Sequence, residues 1–218
     1  MGFFKTKIDD ESLKEQTGGG SKYLSKSGIY DVKINFASVS INASNARSID
    51  FNLDYEGNPS TIYGLKLDNN NGTENFGAAI FNKLCVLADL SEVSEPVMET
   101  KLLGKDNKPV DLQILEDFND FEVKVRIQEE YSKYNGTISK RMVIKSFYRI
   151  EDGASASEVK TGNNIGEQLK KDEAYADNIT YRDCTAEEVE AWKSSQSKGG
   201  APTPTPTAAK KTTGSLFK

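Results

Sequence analysis

A chain of 218 residues with 36% hydrophobic content is long enough for one well-buried domain with polar appendages. It carries a formal net charge of −5, no histidine and two cysteines, which argues against imidazole-based catalysis and against a zinc site. No apolar run is long enough to span a membrane, MGFFKTKIDDE resembles no secretory signal, and no Walker-type loop or GxGxxG occurs, so a cytoplasmic, non-enzymatic protein without a cofactor is expected.

Residues 1–20 end in TGGG and read as a flexible N-terminal arm, with Phe3, Phe4, Ile8 and Leu13 at the spacing of a short amphipathic helix. The body begins at Ser21. In GIYDVKINFASVSI, Tyr30, Val32, Ile34 and Phe36 alternate with polar residues, as in a half-buried strand. SIDFNLDYEG repeats the pattern through Ile49, Phe51, Leu53 and Tyr55. After a Gly57-Asn58-Pro59 turn, STIYGLKLD predicts a third strand alternating through Tyr63, Leu65 and Leu67; Tyr63 and Tyr55 are candidate stacking platforms for bases, but alternation places both more naturally in the core. The period then lengthens: Ile80, Leu84 and Leu87, widened by Phe81 and Ala88, predict a helix that contains Cys85. Cys85 in this apolar pattern and Cys184 in a polar loop read as free thiols.

Residues 91–115 are ambiguous, with KLLGKDNKPVDLQIL compatible with a hairpin turning at KDNK. FEVKVRIQEEY and TISKRMVIKSFYRIED, joined by SKYNG, predict a long hairpin. The order strand–strand–strand–helix–strand–strand fits a mainly β domain over residues 21–152, a five-stranded OB-fold-like Greek-key barrel with one helix between strands 3 and 4. An open antiparallel sheet with one helix gives the same string. Residues 153–197 read as an acidic, partly helical extension. In it Thr185-Ala186-Glu187-Glu188 has capping-box form, ahead of a short helix whose Trp192 docks on the body. Residues 198–218 form a basic Pro/Thr tract too polar to order itself.

The terminal hairpin concentrates charge of the opposite sign to the whole chain: residues 121–149 hold seven basic and three acidic side chains. On alternation, Lys124 and Arg126 share the outward face of its first strand, and Arg141, Lys145, Phe147 and Arg149 that of its second. Tyr131, Lys133, Tyr134 and Lys140 surround the turn. Cations neutralise phosphates, and aromatic faces stack on unpaired bases without regard to sequence, so this mixture points to single-stranded nucleic acid. The plainer alternative is a solvated face whose cations pair with nearby glutamates. A carboxylate–magnesium site would need Asp50, Asp54 and Asp68, whose spacing is that of a solvated strand face.

Around Gly28, Tyr30 and Ile34 at the start, and Asn135, Gly136, Phe147 and Tyr148 at the end, residues 21–150 resemble the small single-stranded-DNA-binding proteins of tailed bacteriophages. The resemblance implies an OB-fold that coats single-stranded DNA during phage replication and recombination in the host cytoplasm, with Tyr131, Tyr134, Arg141 and Phe147 among its contacts. In place of the acidic tail of many such proteins, this chain has Lys198, Lys210 and Lys211 and ends in Leu216-Phe217-Lys218. That peptide reads as a docking motif for a replication, recombination or RNA polymerase partner, the last in the manner of phage late-transcription activators. The competing reading is a virion or assembly protein that uses its arm and tail as protein contacts.

Overall fold

The computed structural model describes residues 23–104 and 108–198. Residues 1–22, which hold the expected arm, residues 105–107, within the expected KDNK turn, and the tail that includes Leu216, Phe217 and Lys218 lie outside the described residues. The chain divides into two units, residues 23–130 with 140–180, and residues 131–139 with 181–198.

The larger unit is mainly β. An antiparallel meander of β1 (Gly28–Ile41), β2 (Arg47–Tyr55) and β3 (Asn58–Lys66) leads into helix α1 (Phe76–Leu87). The hairpin β4 (Val97–Leu103) and β5 (Lys108–Ile114) follows, then the long strands β6 (Phe121–Tyr134) and β7 (Thr137–Arg149). Two short helices, α2 (Ala156–Thr161) and α3 (Glu167–Glu173), and the three-residue strand β8 (Thr180–Arg182) come next. The long β1 is the hub. One edge pairs with β2; the other pairs with β6 over Gly28–Ile34 and with β5 at Ser38 and Val39. The expectation was five strands; eight are present among the described residues, because the ambiguous stretch forms β4–β5 and β8 adds a short pairing on β6.

The core forms where apolar alternation meets these pairings. Ile49, Phe51 and Leu53 of β2 are buried, as are Val123, Val125 and Ile127 of β6, with Ile80 and Leu84 of α1 against them. Two register shifts break the simple period. In β1 the shift between Ile34 and Phe36 turns Ala37 to the side of Val32 and Ile34, so Phe36 stays buried but outside the main core cluster, under the Lys101 ammonium. In the β2–β3 ladder Ile49 faces Leu65 and Phe51 faces Ile62, so one extra residue sits between the inward positions of β3. Gly64 accommodates it at φ +73°, and its N–H is held by Asp50 Oδ1 at 2.7 Å. Ile62 is therefore buried and Tyr63 is 68% exposed, the reverse of the sequence expectation.

Asn75 caps α1, its side chain accepting from the Gly77 N–H at 3.3 Å. A Cβ at Gly77 would come within 2.2 Å of the Lys66 carbonyl, so glycine lets the helix close on β3. Burial pushes the Cys85 thiol of this helix up to about 11, which leaves it protonated and inert at neutral pH. Thiol titration of native protein is therefore expected to label the partly exposed Cys184 first and Cys85 only on unfolding.

Residues 153–180, the first part of the expected acidic extension, belong to the same unit as the sheet. Their organiser is Glu158. Its carboxylate accepts from the N–H groups of Ser155 (2.8 Å), Gln168 (2.8 Å) and Gly166 (3.3 Å), linking the starts of α2 and α3. Burial works against its ionisation, but these donors outweigh burial and hold the carboxyl below its ordinary value of 4.5. A depressed carboxyl contributes stability that is fully present above the unfolded value and lost as pH falls through the folded one. Glu158→Gln is expected to flatten that acid limb in thermal melts taken from about pH 6 down to about pH 3.

The smaller unit joins the tip of the β6–β7 hairpin to helix α4 (Ala186–Lys198). Thr185 and Glu188 complete the expected capping box, at 3.3 Å and 3.0 Å. Val189 is buried, and Trp192 meets the Tyr131 ring edge-on with centroids 6.1 Å apart.

Candidate nucleic-acid interface

The hairpin cations do not form a free stripe. Lys124 reaches Asp31 at 2.7 Å, directly across the β1–β6 ladder. Arg126 pairs with Asp172 of α3 at 2.9 Å and donates to the Tyr175 carbonyl at 3.0 Å, while its Nε is buried without a hydrogen-bond partner among the described residues. Arg149 holds Asp152 at 2.6 Å, which keeps the Asp152 carboxyl below its ordinary range. Lys145 is half-buried on β7.

Two expected aromatic contacts are also corrected. Phe147 is 1% exposed and packs against Phe51 with ring centroids 5.7 Å apart. Ile144 and Phe147 are an odd number of residues apart, yet both join the core, so strict alternation fails between them. The neighbouring Tyr148 is buried as well, its hydroxyl donating to Asp172, and burial pushes its phenol well above the ordinary range. Tyr131, 1% exposed, stacks on Tyr181 at 6.0 Å beneath the Lys193 ammonium, and so is no contact surface. Tyr134, by contrast, is 79% exposed at the hairpin tip. There Lys133 pairs with Glu188 at 2.6 Å.

The remaining two cations converge on a different place. Lys140 and Arg141 of β7 and Thr61, Ile62 and Tyr63 of β3 line a groove of about 450 Å³, with Leu24, Ser25 and Met142 completing it. Ile62 and Leu24 make an apolar floor, and the exposed Tyr63 ring stands at the side. Lys140 donates to the Ser25 carbonyl at 2.6 Å and pairs with Glu129 at 2.8 Å. Arg141 Nε donates to Glu130 at 2.8 Å and Nη2 bonds the same oxygen, while 49% of the side chain stays exposed. Glu129 and Glu130 are buried, so each cation neutralises a carboxylate behind the groove as well as facing it. Removing Arg141 leaves a buried charge without that partner: Arg141→Ala is expected to cost about 1–3 kcal/mol in chemical denaturation.

Sequence reasoning thus placed Lys140 and Arg141 on the surface but weighed Tyr63 as a core residue. The usable signal was Gly64, since an isolated glycine within a strand pattern marks a bulge. The three aspartates considered for a metal are occupied elsewhere. Asp50 and Asp54 accept backbone N–H groups, and Asp68 chelates Arg47. Among the described residues no three His, Cys, Asp or Glu side chains gather to hold an ion, and no helix is long and apolar enough to cross a membrane. No family model and no curated protein matches the chain.

Proposed function

We propose that this chain is a non-catalytic, sequence-tolerant single-stranded-DNA-binding protein whose unpaired bases stack on Tyr63 in the β3–β7 groove, with phosphates reaching Lys140 and Arg141. The observation that carries the reading is an exposed aromatic ring set beside two partly exposed cations over an apolar floor. The connectivity supports it: a β1–β2–β3 meander, a helix, then a hairpin whose first strand returns to β1 is compatible with an OB-fold path that carries β4–β5 as an insertion. The setting in phage replication or recombination, and a partner for Leu216-Phe217-Lys218, belong to the same proposal and rest on the family resemblance.

Fluorescence anisotropy with oligo-dT tests it. Binding is expected to favour single strands over duplex and to ignore sequence. With two groove cations facing phosphates, log affinity should fall with log salt with a slope of about −1.4. No binding by intact protein at low salt removes the proposal and leaves the assembly reading.

A further inference from the structure

We infer that β4 is a self-recognition edge through which two copies of the chain join their sheets, antiparallel and centred on Thr100. This goes beyond the groove and does not depend on it. β4 ends the strand path and pairs only with β5 among the described residues, so its other edge offers unpaired backbone donors and acceptors. Two of the other edges carry protections. β3 has Pro59 and the bulge at Gly64, and β7 carries Lys140 and Arg141. β4 has neither proline nor glycine, keeps unbroken register with β5 over seven residues, and exposes Met98 (62%) and Leu102 (65%).

The sequence of β4, VMETKLL, is complementary to its own reverse. Pairing two copies about Thr100 sets Glu99 opposite Lys101 of the second copy, and Met98 opposite its Leu102, on both sides of the two-fold axis. Opposite charges and apolar side chains directly across an antiparallel ladder are stabilising, and a two-fold contact requires this self-complementarity. At the axis Thr100 already donates to Asp111 at 2.6 Å, so its hydroxyl needs no new partner. Glu99 and Lys101 sit 2.7 Å apart within one chain, poised to exchange partners across the axis. The shared edge is about 23 Å long, small for a permanent dimer, so association in the micromolar range is expected.

Sedimentation velocity of the full chain over a concentration series is expected to show a reversible monomer–dimer equilibrium. The decisive variant is the swapped pair E99K/K101E, which keeps the ion pair within each chain. It is expected to dimerise with itself but, with like charges now opposed, to mix with wild type at least roughly tenfold more weakly. Wild type that stays monomeric at every concentration overturns the inference. So does a swapped variant that mixes with wild type as readily as with itself, since the dimer would then use another surface.

Discussion

Phe147→Ala is expected to lower folding stability by about 3–5 kcal/mol, because it empties a fully buried ring site against Phe51. Against the roughly 5–15 kcal/mol that holds a typical domain together, that loss is large, and circular-dichroism melts should show it as a steep drop in Tm. Loss of the proposed DNA binding in this variant would then follow from unfolding and say nothing about contact. A Tm within a degree or two of wild type would mean that the ring does not face the core and that the face assignment of β7 must be reversed.

Tyr63→Ala is the complementary case. Its ring is mostly solvent-exposed, so Tm should hardly move, whereas a lost stacking platform costs about 1–3 kcal/mol per base, a fall of about five- to 150-fold in affinity for oligo-dT. Tyr63→Phe keeps the π-face and should bind like wild type. Equal affinity for all three proteins would move the nucleic-acid contact away from the β3–β7 groove.

These two residues mark the limit of what alternation can tell. Where a strand keeps period two, as β2 does through Ile49, Phe51 and Leu53, the buried face was legible in the sequence, and the 3.6 period of Ile80 and Leu84 placed α1 equally well. Phe147 and Tyr63 were assigned to the wrong faces because each lies where the period slips, and a slip of one residue exchanges inside for outside. The charge on the hairpin was legible as a count but not as an arrangement. Asp31, Asp172, Glu129 and Glu130 lie 93, 46, 11 and 11 residues from the cations they neutralise, and only the strand pairings and α3 bring them together. The capping box at Thr185 needed no such partner, being complete within four residues.

Asp172 has a practical bearing on where this protein can be cut. It supplies the counter-charge for Arg126 and the acceptor for the Tyr148 hydroxyl, while Glu158 ties its helix to the preceding one. A fragment that stopped at Asp152, where the polar composition invites a terminus, would bare a guanidinium and a phenol on the outside of the sheet. Ending the chain at Asp152 is therefore expected to lower the stability of the sheet, and limited proteolysis should spare the joints between these helices while the native protein lasts.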